Sequence, residues 1–446
     1  MPSNPLVTAL PLASALAAPL AAQAAFLEDA QVNVLNRNYY FSQDYRNGDS
    51  ATNPYTGERQ SRRAEWAHGV IARAESGFTE GTVGVGLDVH GYLAVKLDGG
   101  EGLAGNGVAG PGLLSRHGYA ADGPVKDEYG KAGAALKLRA FDTELRIGDV
   151  RPTSPLVYAS DIRLLPQTLR GAIFHNTSVE GLTLQGGKLD SSSDRNASNH
   201  RGDLGTAYAG RFADANDVVY LGADYAPNER LSIKLHASRL DDIWDQQFFR
   251  VDYVQPLGER LAFNGGLHGY RTREAGSALL GGLDNDTWAL RAGLTWGGHG
   301  VELSYTRVDG DTPFDYVWNT YDIELPSASQ VSDFNNPNER IWQARYDYNF
   351  ADLGVPGLTL TARYVRGTDI DGRNAGPAYA GFTGIADGKH WERNLWVKYV
   401  VQGGPAKDLS LNVMQATHRV GGDHTAEANI DELRVILEYP LDLRLL

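Results

Sequence analysis

Catalysis is the first possibility to weigh, because the chain offers many of the side chains that perform it. It has 11 His among 446 residues, with abundant Ser and Asp. A nucleophile, a base and an orienting acid can be drawn from such a set, but no motif fixes their spacing. Gly-Lys-Ser/Thr phosphate loops and a His-Glu-x-x-His metal pair are absent. Gly81-x-x-Gly84-x-Gly86 lies within an alternating stretch, where glycines serve packing and curvature rather than nucleotide binding. With no Cys, disulfides, thiolate metal sites and cysteine catalysis are excluded. Acidic stretches at Asp214/Asp217, Asp284/Asp286 and Asp423 offer oxygen ligands without a defined calcium spacing and read as solvated loops. The chain therefore reads as no enzyme, with no cofactor and no metal. What does recur is charge at every second position, opposite apolar residues, so the question becomes which elements carry it.

Trp288-Ala-Leu-Arg-Ala-Gly-Leu-Thr-Trp296 shows the arrangement most clearly. Trp288, Leu290, Ala292, Leu294 and Trp296 share one face, and Ala289, Arg291, Gly293 and Thr295 the other. Eight steps of roughly 3.3 Å separate the two indoles by about 26 Å. That matches the apolar band of about 25 Å, rimmed by aromatic girdles, on a transmembrane β-barrel. Lipid would penalise an arginine at mid-depth by about 2–4 kcal/mol, whereas a watery lumen accepts it. The same alternation recurs at Leu231/Ile233/Leu235/Ala237 against Ser232/Lys234/His236/Ser238. It recurs at Trp342/Ala344/Tyr346/Tyr348 against Gln343/Arg345/Asp347/Asn349, and at Leu433/Val435/Leu437/Tyr439/Leu441 against Glu432/Arg434/Ile436/Glu438.

Alternation alone does not separate a soluble sandwich from a barrel, but the connections do. Strands are expected near 32–43, 61–76, 81–96, 130–140, 142–150, 168–179, 181–190, 217–225 and 230–240. They continue near 246–255, 260–271, 286–296, 300–308, 339–350, 357–367, 391–402, 407–419 and 430–440. These make eighteen, an even number, as single-chain bacterial barrels require. Their connectors are tight on one side and long on the other, with one short exception at 241–245. The expected fold is thus all-β, a transmembrane antiparallel barrel with short periplasmic turns and long extracellular loops. A barrel this wide is not filled by its own side chains, so a loop must fold inward. The apolar, proline-stiffened third loop, 151–167, is the candidate, and Tyr158 and Arg163 lie on it.

The ends and the charge agree with export. Leu6 to Ala22 is apolar and closes on Ala22-Gln23-Ala24, so residues 1–25 read as a signal peptide, although no Lys or Arg precedes Arg37. Residues 26–446 read as one barrel domain. No later apolar run is long enough for a membrane-spanning helix. A net charge of −14 argues against nucleic acid.

Arg37-Asn-Tyr-Tyr-Phe41, Arg163-Leu-Leu-Pro-Gln-Thr168, Gly310-Asp-Thr-Pro-Phe-Asp-Tyr316 and Trp342-Gln-Ala-Arg-Tyr-Asp347 resemble the OprD family of outer-membrane substrate-specific porins. So do Gly354-Val-Pro-Gly-Leu-Thr359, Val400-Val-Gln-Gly-Gly-Pro405 and Leu433-Arg-Val-Ile-Leu-Glu-Tyr-Pro-Leu441. The resemblance runs in order from about Phe26 to the end. It implies a monomeric eighteen-stranded barrel in the outer membrane of a Gram-negative bacterium, placed there by the barrel-assembly machinery among lipid and lipopolysaccharide. Its partners would be small-molecule substrates that carry a carboxylate. In such channels a column of basic side chains offers successive weak sites to that group. The rungs carried over are Arg63, Lys398 and Arg434, while Gln43, Asn412 and Met414 stand where the family has arginines. Tyr316 and Asp333 match an acidic pocket of the branch that prefers basic amino acids. Passive uptake of amino acids, basic ones foremost, or of small peptides is the function implied. The alternatives are a channel for aromatic or other organic carboxylates, a general diffusion pore, a sealed structural barrel and an outer-membrane hydrolase.

Overall fold

The computed structural model describes residues 26–53, 56–99, 112–114, 125–200, 204–318 and 323–444; the signal-peptide expectation for residues 1–25 lies outside them. Eighteen barrel strands follow one another along the chain. They are β1 (Gln31–Tyr45), β2 (Arg62–Glu75), β3 (Gly84–Asp98), β4 (Glu128–Ala140), β5 (Thr143–Val150) and β6 (Thr168–Val179). Next come β7 (Leu182–Ser193), β8 (Val218–Asn228), β9 (Leu231–Leu240), β10 (Trp244–Pro256), β11 (Leu261–Glu274) and β12 (Asp284–Trp296). The last are β13 (His299–Asp309), β14 (Arg340–Asn349), β15 (Leu358–Ile370), β16 (Gly388–Val400), β17 (Ser410–Gly421) and β18 (Ile430–Arg444). Each agrees with its expected span to within four residues at both ends. Every strand pairs antiparallel with its neighbours in sequence, and β1 pairs with β18 from Gln31↔Arg444 to Tyr45↔Ile430, which closes the sheet. Closure leaves no edge with unpaired backbone groups, the condition for a sheet to cross hydrocarbon.

The connectors sort as expected. Residues 141–142, 180–181, 229–230 and 297–298 make two-residue turns at one rim. Segments 46–61, 99–127, 151–167, 194–217, 310–339 and 371–387 lie at the other, and 241–243 is the short exception.

Burial is inverted relative to a soluble protein. Leu221, Leu235, Leu290, Leu303 and Trp342 are 55% or more exposed, while Arg63 and Glu392 are fully buried. Apolar side chains on the outside and charges on the inside fit a solvent that is lipid outside and polar within. On β12, Trp288, Leu290, Leu294 and Trp296 are exposed, and Arg291 turns inward to pair with Asp252 and, at 3.1 Å, with Glu302.

Loop 151–167 crosses the lumen. At one end, Arg37 Nη1 on β1 donates to Asp161 Oδ1 at 2.8 Å and to the Arg163 carbonyl at 2.7 Å. At the other, Ser154 Oγ lies 3.1 Å from His236 Nδ1 on β9, nearly half the barrel away. Its apolar residues divide to match. Leu156, Val157 and Ala159 pack with Tyr220, Phe248 and Tyr270, and Leu164 and Leu165 pack with Tyr39, Phe41, Ile71 and Tyr92. Apolar contact at both ends thus holds the loop inside, with backbone carbonyls satisfied by Arg37.

Candidate functional site

A cavity of about 400 Å³ lies where loop 151–167 and loop 310–339 meet the barrel wall. Loop 310–339 is the second segment folded inward, and side chains from five strands fix it. Arg363 Nη2 on β15 donates to the carbonyls of Pro326 and Ala328, each at 2.9 Å. The Glu392 carboxylate on β16 accepts the backbone N–H groups of Gln330 (2.9 Å), Val331 (3.1 Å) and Ser332 (3.0 Å). Trp396 Nε1 donates to Gln330 Oε1 at 2.7 Å, and Arg434 Nη2 on β18 donates to the Gln330 carbonyl at 2.5 Å. Lower down, Glu324 receives Lys234 of β9 at 2.7 Å and Arg250 of β10 at 2.8 Å. Burial pushes the Glu324 carboxyl up, but these two cations outweigh it and hold it below the usual carboxylate range.

The acidic pole of the cavity is Asp333. Its Oδ2 accepts the phenol of Tyr208 at 2.7 Å and that of Tyr316 at 2.8 Å. Burial first, and then the Asp333 charge, keep the Tyr208 phenol well above its usual value, so it stays a donor. Asp315 orients both rings by accepting the backbone N–H of Tyr208 at 3.0 Å and of Tyr316 at 2.8 Å. Phe334, next in sequence, is fully buried with φ of 51°, a left-handed conformation uncommon for a bulky residue. Its ring packs on His390 at 4.1 Å between centroids, and this packing offsets the backbone strain and fixes the direction of Asp333. The two phenols converge on one oxygen of this carboxylate and hold it in place.

The basic pole comprises Arg163, Arg195, Arg363 and Arg434, all lining the same cavity. Three guanidinium groups surround the Phe41 ring, those of Arg63 at 5.1 Å, Arg163 at 5.5 Å and Arg434 at 5.9 Å from its centroid. The ring face is an electron-rich surface on which like charges can gather. Burial, with the Arg434 charge next, lowers Arg163 to about 10, which leaves it a cation at neutral pH.

Of the residues singled out in the sequence, Asp333, Tyr316, Arg163 and Arg434 line this cavity. Arg63 lies beside it, fully buried against Phe41 and opposite Gln43 in the β1–β2 register. Lys398 faces the lumen with Trp396 but two residues nearer the turn rim, exposed and with no carboxylate in ion-pair range among the described residues. Tyr158 pairs with Thr153 in a small hairpin of loop 151–167 and is not part of the cavity lining. Of the positions without a ladder arginine, Met414 lines the cavity opposite Arg434, Gln43 is hydrogen-bonded to Glu432 at 2.7 Å, and Asn412 pairs with Lys398. Sequence reasoning missed Tyr208, Asp315, Arg195 and Arg363. Only Arg363 carried a signal, its place on the polar parity of β15.

Residues 24–443 match the family described as outer membrane porin, OprD family. Porin D of Pseudomonas aeruginosa is 39% identical over 429 residues, which cover 94% of this chain and 92% of that protein. The crystal structure of P. aeruginosa OccK9 (OpdG) has 38% identity and a TM-score of 0.83, covering 94% of this chain and all of that one. That of P. aeruginosa OpdK with vanillate has 33% identity and a TM-score of 0.81 over the same shares.

Proposed function

The chain belongs to the OprD family of outer membrane porins, channels for substrate-specific uptake, and on that premise we propose that its substrates are amino acids with a cationic side chain, or small peptides that carry one. The observation that carries this reading is the pairing of opposite poles in one cavity. A substrate carboxylate meets Arg434 and Arg163, while its ammonium or guanidinium meets Asp333. Each contact is individually weak, as passage demands, and the pair discriminates by charge placement rather than by size. Lys398 extends the basic side of the path toward the turn rim, Arg63 adds its charge from beside the cavity, and loop 151–167, with Tyr158 and Arg163, sets its width. The same reading takes the protein as a monomer among lipid and lipopolysaccharide, inserted by the barrel-assembly machinery after export on residues 1–25.

A second reading, an aromatic carboxylate as substrate, draws on Trp318 and Trp396 in the cavity lining and on the relative whose structure holds vanillate. Single-channel current in a planar bilayer separates the two. Arginine should block the current at lower concentration than a neutral amino acid or benzoate. Stronger block by benzoate, with anion preference in a salt gradient, would replace the first reading by the second. Absence of current would sink both.

A further inference from the structure

Beside the substrate cavity, three histidines converge on one carboxylate oxygen. His390 stands on β16, His418 on β17, and His424 and Glu427 on the segment 422–429 between β17 and β18. His390 Nδ1 and His418 Nε2 each lie 2.8 Å from Glu427 Oε2, and His424 Nε2 lies 3.6 Å from the same atom. One ligand atom each of His390, His418 and Glu427 falls within 4.8 Å of the others. The three imidazoles are fully shielded, whereas the Glu427 side chain keeps 20% exposure and opens onto the cavity.

Hydrogen bonding does not account for all of this cluster. Both ring nitrogens of His424 lack a hydrogen-bond partner among the described residues, and those of His418 face only the Glu392 and Glu427 carboxylates, at 3.6 and 2.8 Å. Each such buried group left unmade costs about 1–3 kcal/mol. Three carboxylates, Glu339, Glu392 and Glu427, crowd the same imidazoles, so the pocket favours a cation as well as a Lewis acid.

We infer that His390, His418, His424 and Glu427 bind a divalent transition-metal ion of the zinc class. Three imidazole nitrogens with one carboxylate oxygen suit Zn²⁺ or Co²⁺, and disfavour Ca²⁺ and Mg²⁺, which take all-oxygen sets. Tetrahedral bonds of about 2.0–2.1 Å place neighbouring donors about 3.3–3.4 Å apart. The distances from Glu427 Oε2 to the three imidazoles lie on either side of that value; His390, His418 and Glu427 already form a compact triad, and His424 turns inward to complete the set. The outer shell is formed at His390 and within reach at His418. Glu339 Oε1 lies 2.6 Å from His390 Nε2, which leaves Nδ1 for the ion. Glu392 Oε2 lies 3.6 Å from His418 Nδ1, which leaves Nε2. Gly367 on β15 permits this approach, since a Cβ there would overlap Glu339 Oε1 and crowd His390 Nε2. The ion enters from the cavity past Glu427, and the site stands whatever the channel's organic substrate is.

The test uses the full-length protein in detergent micelles, stripped by a chelator and titrated with Co²⁺ and then Zn²⁺. One equivalent of Co²⁺ with the strong visible absorption of a tetrahedral site, displaced by one equivalent of Zn²⁺, is the expected result. His424→Ala should weaken Co²⁺ binding at least tenfold with an unchanged circular dichroism spectrum, because His424 belongs to a loop and no strand hydrogen bond uses its ring. His299→Ala, at the opposite rim, should bind like the parent protein. A parent protein that retains no Co²⁺, a weakly absorbing octahedral spectrum, or equal affinity in His424→Ala would each overturn the assignment.

Discussion

Two phenols fix the position of Asp333, and its charge decides what it can hold. One oxygen accepts both Tyr208 and Tyr316, and Asp315 keeps their rings in place. Asp333→Asn preserves shape and the tyrosine contacts while removing the charge. A hydrogen bond to a charged group is worth about 1.5–3 kcal/mol, so arginine block should weaken roughly 10- to 100-fold. Block by benzoate should not change, and bilayer titrations of the two proteins would measure both. Equal arginine block in parent and variant would remove Asp333 from the substrate path. At this scale the sequence was only partly legible. Asp333 and Tyr316 were found through resembling motifs, and Arg434 through strand parity. Tyr208 reaches Asp333 from 125 residues away, and Asp315 reaches the Tyr208 backbone from 107, in irregular loops where no periodicity predicts a meeting. The histidine cluster was hidden for a related reason. Parity can put His390 and His418 on the inner face, but only the β16–β17 register, Glu392↔His418, brings them together.

Strands and loops divide the labour, and the loops give the channel its dimensions. Loop 151–167 is held at its β1 end by Arg37, which also pairs with Glu438 at 2.7 Å. Arg37→Ala removes the donors to Asp161 and to the Arg163 and Leu164 carbonyls, so single-channel conductance should rise and discrimination between arginine and neutral amino acids should fall. An unchanged conductance would show that the apolar contacts alone position this loop. Loop 310–339 has a different fastening, and acid should release it. Glu324 is held below its ordinary value of 4.5, so its contribution is fully present above that value and is lost as pH falls through the lower, folded-state value. Current should therefore hold steady from pH 7 to about 4.5 and change below, whereas Glu324→Gln should show the altered current at every pH. At the scale of elements the sequence was highly legible. The period of two, the β12 girdle residues and the alternation of tight and long connectors each follow from one constraint, that lipid meets every other side chain. The inward turn of loop 151–167 was legible too, because Leu156, Val157, Leu164 and Leu165 are poor company for water. That of loop 310–339 was not, since its buried residues, Phe314, Val317, Leu325 and Phe334, are scattered among polar ones whose hydrogen bonds to the wall fasten it.

The barrel as a whole is an interface between two solvents, and a substitution is judged by which it faces. Leu290→Arg puts a charge at mid-depth in lipid and should cost about 2–4 kcal/mol of stability. Thr295→Arg, on the inner face of the same strand, should cost little. Urea unfolding of both variants in lipid vesicles would compare them, and equal losses would mean that the faces of β12 are misassigned. The seam between β1 and β18 has a further consequence, which concerns time rather than shape. The two strands that close the sheet are the first and last to be made, with about 400 residues between them, so their joining carries a loop-closure entropy of about 5 kcal/mol. The partners of Gln31–Tyr45 across the seam are the last strand made, Ile430–Arg444, so a chain cut short before them cannot close its sheet. Both margins of such a sheet stay open to any other strand, and the truncated chain should be degraded faster than the full-length one.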